Sequence, residues 1–202
     1  MTSFRLIGDP GHGGEDRGNC HNGVVEAPFV FDIASSLMAH AMLEPSWDAR
    51  LTRDFDEDPY FAERDKRARA FNASMALSIH ADAGIDANGD AHPEWSGCTV
   101  FHVEHNRQAA IVAREIAGAM PRALTAPRGP RVVGLSVAEK ARYPRTVNVL
   151  YGFTAPTVLV EIGYLTNPSD AAYLKTPYAK QRIVAALLAG AAIGAQLYGS
   201  AS

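Results

Sequence analysis

The run Arg5-Leu6-Ile7-Gly8-Asp9, followed at once by Pro10, Gly11, Gly13 and Gly14, constrains this chain more than any other feature. A short apolar segment cut by proline and glycines reads as a strand that stops at a loop. His12 sits inside that break. In open α/β sheets ligands bind beyond the carboxyl ends of the strands, so a histidine held there by glycines is a better site candidate than one on a helix face. The pattern recurs twice. Met75 to Asp82, MALSIHAD, is an apolar run ending around His80, and Pro156 to Asn167, PTVLVEIGYLTN, sets Glu161 directly after Val158-Leu159-Val160. Glu26 closes the first loop just before helical periodicity begins.

Between these strands the apolar spacing changes from two to 3.6. Val30, Ile33, Ala34, Leu37, Met38 and Ala41 form one helical stripe, with Pro28 in the first turn, where a missing N–H costs nothing. Ala49 to Arg53 reads as the second strand. Asp58-Pro59 reads as an N-cap and first helical position, with the helix running to about Asn72. Met75 to His80 is the third strand, Ala83 to Ser96 a polar surface loop, and Cys98 to Glu104 a strand rich in β-branched and aromatic residues. Arg107 to Met120 reads as a helix that Pro121 ends. Val132-Val133 and Leu135 to Val137 read as strand pieces, Val147 to Leu150 and Thr157 to Ile162 as the last strands, and Ser169 to Leu174 and Tyr178 to Leu197 as closing helices. Alternating strands and helices predict an α/β single-domain sandwich: a mainly parallel twisted sheet of about six strands, flanked by helices on both faces.

Composition excludes several classes. With 202 residues, 47% of them hydrophobic, the chain can bury one sizeable core. A formal net charge of −3 provides no basic footprint for nucleic acid. The basic run Arg64, Lys66, Arg67, Arg69 is interspersed with Asp65 and reads as a solvated helix face. Ile183 to Leu197 is alanine- and glycine-rich and reads as an amphipathic helix rather than a membrane insertion. No export leader is visible at the N-terminus. Cys20 and Cys98 are too few for a disulfide framework, although one bridge is allowed. The oligomeric state is not readable from the sequence, and a monomer is the expectation.

Two imidazoles and one carboxylate suit Zn²⁺ with an open coordination position, and a second carboxylate can act as base. His12, His80, Glu26 and Glu161 supply such a set. His102 and His105, at a strand end and in the following turn, read as structural or solvated, and the arginines at 128, 131, 142 and 145 as groove-lining or solubilising.

The pieces DPGHGG (Asp9 to Gly14), Glu26 at a helix head, LTR (Leu51 to Arg53), the Arg64 and Asn72 helix, SIHAD (Ser78 to Asp82) and PTVLVEIGYLTN occur in one order across nearly the whole chain. This ordered set resembles the zinc-dependent N-acetylmuramoyl-L-alanine amidases of bacterial cell-wall remodelling and of phage endolysins. The resemblance implies that His12, Glu26 and His80 bind one Zn²⁺ and that Glu161 is the catalytic carboxylate. It implies a peptidoglycan substrate, cut at the amide between N-acetylmuramic acid and L-alanine. Residues 1–202 are then one catalytic domain without a separate wall-binding domain. Arg53, Arg64 and Asn72 are expected as framework residues. Asp82 stands where the family usually has asparagine, and Ala83 to Ser96 is too short for the regulatory helix that blocks some members. An endolysin made in the cytoplasm and released to the periplasm and wall through a membrane pore is the expected setting. The competing readings are a zinc peptidase or carboxypeptidase acting on stem peptides, and a non-catalytic wall-binding module of the same fold.

Overall fold

A computed structural model describes residues 4–86, 88–125 and 129–199. In chain order the elements are β1 (Phe4–Pro10), β2 (Cys20–His21), β3 (Val24–Val25), α1 (Glu26–Ala41), β4 (Trp47–Leu51), α2 (Phe61–Ala70), β5 (Met75–Asp82) and β6 (Thr99–Val103). There follow α3 (Arg107–Ala119), β7 (Arg131–Leu135), α4 (Pro144–Gly152), β8 (Thr157–Tyr164), α5 (Pro168–Leu174) and α6 (Pro177–Tyr198). The six-stranded sheet has the order β4-β1-β5-β8-β6-β7, and β2 pairs with β3 in a small ribbon. β4, β1, β5 and β8 run parallel, whereas β6 is antiparallel to β8 and carries β7 parallel to itself. The mainly parallel α/β architecture read from the sequence is therefore the one observed.

Alternation along the strands separates two faces. Leu6, Leu77, Val158 and Val160 join the larger core under α1, α3 and α6, while Ile7 and Ala76 pack with Ala68 and Phe71 of α2, and Leu159 with Val147 and Leu150 of α4. Each fully buried Leu or Ile side chain contributes about 1.5–3 kcal/mol relative to exposure, so both layers have strong reasons to form. α6 is long and apolar enough to cross a membrane by length and composition. In this fold its Ile183, Val184, Leu187 and Ala191 instead join the core that Ile33, Leu37 and Ile116 also build.

Three local expectations are corrected. Val147 to Leu150 is not a strand but lies inside α4, because Pro144 at the first turn starts a helix. Val147 and Leu150, three apart, then bury one helical stripe, a pattern that a short apolar run shares with a strand. The second helix begins at Phe61 with Tyr60 as N-cap rather than at Asp58-Pro59, whose Pro59 carbonyl accepts from Arg64 Nε at 3.1 Å. Leu135 ends β7, and Val137–Ala141 is a 3₁₀ helix capped by a Ser136–Glu139 box instead of a strand piece. Arg64 also leaves the solvated face assigned to its run, being 7% exposed. Arg128 lies outside the described residues.

Candidate metal and catalytic site

Three strands and one helix start converge above the middle of the sheet. β1 leads through Pro10 and Gly11 to His12, β5 presents His80, β8 presents Glu161 in register with His80, and α1 begins with Glu26. The loop between β1 and α1 shapes itself around these groups. His12 is held at φ 57 in the left-handed region. A Cβ on Gly11 would collide with the His80 ring, and one on Gly18, at φ 64, would lie 2.7 Å from Glu26 Oε2 and from the His12 ring. Only glycine fits at these two close approaches.

Glu26 is 1% exposed, and every face of its carboxylate is used. Oε2 accepts from the Asn19 backbone N–H at 2.9 Å and from Asn19 Nδ2 at 2.8 Å, and lies 3.2 Å from His12 Nε2. Oε1 accepts from the Ala81 N–H at 3.1 Å and lies 3.2 Å from His80 Nδ1. Burial pushes the Glu26 pKa up, but hydrogen bonds and charge from His12 and His80 outweigh it and hold the carboxyl well below its usual range. Burial likewise opposes charge on His12, yet Glu26 and then Asp16 raise its pKa. Asp16 Oδ2 accepts from His12 Nδ1 at 2.8 Å, which turns Nε2 toward Glu26. The Asp16 carboxyl is in turn held low, against its burial, by hydrogen bonds from His12 and the Gly18 N–H and by the charges of His12 and Arg145. This cluster draws positive charge to a point between two imidazoles and a carboxylate. Among the described residues it is the one group of three such side chains whose ligand atoms all lie within 4.8 Å.

Glu161 behaves differently. Its Oε2 is buried without any hydrogen-bond partner. Burial first, and then the charges of Asp82 and Glu26, raise its pKa well above the carboxylate norm. A carboxyl in that state can take up and give back a proton. Burial also pushes Asp82 up to about 6, against the lowering effect of the neighbouring Ala83 N–H and Tyr164 hydroxyl. Together these groups face a pocket of about 270 Å³, whose remaining wall includes Ile85, Arg145, Thr146 and Val149.

Beneath the loop lies a buried polar frame. Arg53 donates to the carbonyls of Pro10 (3.0 Å), Gly11 (3.0 Å) and Ala27 (3.2 Å). Arg64 donates to Pro10 O and His12 O, both at 2.7 Å, and to Asp9 Oδ1 at 2.9 Å. Thr52 and Ser78 hydroxyls complete the Asp9 carboxylate at 2.7 and 2.8 Å. Arg53 and Arg64 are framework residues, as expected where the family resemblance was drawn, though for Arg64 against the solvated-face reading of its run. So is Asn72, which takes φ 51 after α2 while Asn72 N bonds Arg69 O and Ala73 N bonds Ala68 O, a Schellman closure.

His102 is buried on β6 with Nδ1 bonded to the Val103 carbonyl, and His105 is exposed; neither joins the cluster. Cys20 is exposed and Cys98 buried, both as free thiols, so the allowed bridge is absent. Sequence reasoning missed Asp16 and Asn19, which orient His12 and Glu26. Their only signal was position in the glycine-rich loop.

An open sheet with a two-histidine, one-glutamate cluster and a second carboxyl, unpartnered, on the neighbouring strand has the donor set of a metal-dependent hydrolase. Residues 7–192 match the family described as N-acetylmuramoyl-L-alanine amidase, and the chain belongs to that family. It is 30% identical over 196 residues to N-acetylmuramoyl-L-alanine amidase CwlM of Mycobacterium tuberculosis, covering 94% of this chain and 44% of that protein. It is 27% identical over 179 residues to N-acetylmuramoyl-L-alanine amidase LytC of Bacillus subtilis, covering 89% of this chain and 33% of that one. The chain thus spans less than half the length of these curated relatives. The catalytic domain of the amidase CwlV from Bacillus (Paenibacillus) polymyxa shares the fold with a TM-score of 0.74 at 22% identity, over 93% of this chain and 96% of that one. An N-acetylmuramoyl-L-alanine amidase from Clostridium difficile 630 shares it with a TM-score of 0.76 at 18% identity, over 99% and 100% of the two chains.

Proposed function

We propose that this chain is a zinc-dependent peptidoglycan amidase that hydrolyses the bond between the lactyl carbonyl of N-acetylmuramic acid and the amine of L-alanine, in the service of a phage endolysin. The observation that carries the reading is the division of labour among the carboxyls: Glu26 is saturated by donors and imidazoles, whereas Glu161 Oε2 has no partner. The donor set fits the ion. Two imidazole nitrogens and a carboxylate are the donors zinc takes, and here His12 Nε2 and His80 Nδ1 each lie 3.2 Å from an oxygen of Glu26. His12, Glu26 and His80 would hold the ion. Bound Zn²⁺ supplies Lewis acidity, acidifying water, polarising the scissile carbonyl and offsetting with its charge the upward push on Glu161.

The chain's own residues do the rest. Asp16 fixes the His12 ring, and Asn19 fixes Glu26, so each of these ligands is oriented by a neighbour in the same loop. Glu161 takes a proton from the attacking water as its oxygen adds to the carbonyl carbon. It returns that proton to the amide nitrogen as the C–N bond breaks, leaving a lactyl carboxylate and a free L-alanine amine.

Digestion of purified peptidoglycan by zinc-loaded protein tests the reading through the new ends. Lactyl carboxylate with N-terminal L-alanine supports it, and cuts elsewhere in the stem replace it with the zinc-peptidase reading. No cut at all with full zinc occupancy leaves the wall-binding module. The endolysin role is tested separately: expression inside cells is tolerated until the inner membrane is permeabilised, and lysis without permeabilisation, or none with it, removes that role.

A further inference from the structure

The pocket wall contributed by α4 holds a charge that the reaction does not use. Arg145 lies on the face of α4 that also presents Thr146 and Val149 to the pocket. It is the one lysine or arginine among the pocket's lining residues, which otherwise include the carboxyls of Glu26, Asp82 and Glu161. Its neighbours in sequence behave otherwise. Arg142 covers the Tyr143 ring at 5.2 Å, and Val147 and Leu150 are buried, while Arg145 is exposed. Among the described residues it makes no side-chain hydrogen bond and no ion pair within 4.0 Å.

An arginine left without a carboxylate partner beside an acid-rich pocket has a fork of donors available to an anionic group on the ligand. The ligand chemistry narrows the choice. In a wall stem peptide the residue after L-alanine carries an α-substituent that is a free carboxylate in some walls and a carboxamide in others. Two extended residues reach about 7 Å, comparable with the width of a pocket of about 270 Å³. A carboxylate at the second stem residue is therefore within reach of the pocket that holds the scissile amide. Building on the amidase reading, we propose that Arg145 is the specificity residue that binds the free carboxylate of the second stem residue, selecting carboxylate-bearing over carboxamide-bearing stem peptides.

Zinc-loaded protein is assayed on two synthetic N-acetylmuramoyl tripeptides that differ only in a carboxylate or carboxamide on the second residue. A charge-assisted pair in a partly enclosed site supports a preference on the order of tenfold or more. The wild type is expected to favour the carboxylate by that factor in kcat/KM, chiefly through KM. Arg145→Gln brings the ratio near one, Arg145→Glu inverts it, and zinc content stays at the wild-type level in both. A wild-type ratio near one, or an unchanged ratio in Arg145→Gln, overturns the assignment while leaving the amidase reading intact. Failure of the wild type to cut either tripeptide at the lactyl amide overturns the amidase reading instead. Calorimetric binding of the two tripeptides to Glu161→Gln protein then still decides the anchor, since equal affinities sink it and a carboxylate preference lost on adding Arg145→Gln sustains it.

Discussion

Replacing each glutamate by glutamine separates holding a metal from moving a proton, and the hydrogen bonds set the size of each effect. At Glu26 an amide has one acceptor oxygen where the carboxylate had two. If that oxygen keeps both Asn19 donors, the new NH₂ faces the Ala81 N–H, which now donates to Oε1 at 3.1 Å. A buried N–H left without an acceptor costs about 1–3 kcal/mol, and at about 2–4 °C per kcal/mol for a chain of this size metal-free Glu26→Gln should melt about 2–12 °C below the wild type. Glu161 Oε2 has no partner to lose, and burial already disfavours its charge. Metal-free Glu161→Gln should therefore melt at or above the wild type. The assay is thermal unfolding of chelator-treated protein, followed by zinc content and turnover after reloading. Glu26→Gln is expected to lose zinc and activity together, and Glu161→Gln to keep zinc while turnover falls about a hundredfold or more, the scale of a lost general base. Equal melting of wild type and metal-free Glu26→Gln would refute the hydrogen-bond reasoning. A Glu161→Gln protein that sheds zinc while Glu26→Gln retains it would exchange the two roles.

Other expectations follow from single contacts. Gly11→Ala places a methyl group on the His80 ring, so zinc content should drop with the fold preserved by circular dichroism; full zinc occupancy would show that the ring can move aside. Chelation should abolish activity and added Zn²⁺ restore it, and of the histidine variants His12→Ala and His80→Ala should lose metal, whereas His105→Ala, at an exposed position, should not. Asp16→Asn removes the charged acceptor that orients His12 and should weaken zinc binding about 10–100-fold, as loss of an orienting partner does; unchanged affinity on competition with a chelator dye counts against that role. Cys20 is exposed, while Cys98 is buried with its thiol pKa pushed up by burial and then by Glu161 and Asp170, so a thiol reagent should titrate one group in native protein and two after denaturation.

The parts of this protein that were legible in sequence are those in which local chemistry and tertiary role coincide. Apolar runs broken by glycine mark strand ends, so His12 could be placed just past β1 and His80 and Glu161 toward the carboxyl ends of β5 and β8, and the stripe from Val30 to Ala41 on the sheet. Legibility fails where partners are distant. Nothing near Arg64 tells that its guanidinium reaches back 52 residues to the His12 carbonyl, so its run looked like a solvated face. Val147 to Leu150 is apolar in a way that suits either a strand or one turn of a helix, and contacts with Phe101 and Leu159 settle it. The reversal of β6 and β7 relative to the other strands carries no local signal, because a strand reads the same in either direction.

The buried arginine frame has a consequence for anyone wishing to move this centre elsewhere. The loop that bears His12 looks portable, a short glycine-rich insert between a strand and a helix. Yet the carbonyls of Pro10, Gly11, His12 and Ala27 find their donors on residues 53 and 64, from segments that follow later in the chain. Grafted alone onto another scaffold, the loop would arrive with several main-chain oxygens unanswered and two ligands free to drift. The smallest transplantable unit is discontinuous: the loop, the segment after β4 bearing Arg53, the helix bearing Arg64, and the strands bearing His80 and Glu161.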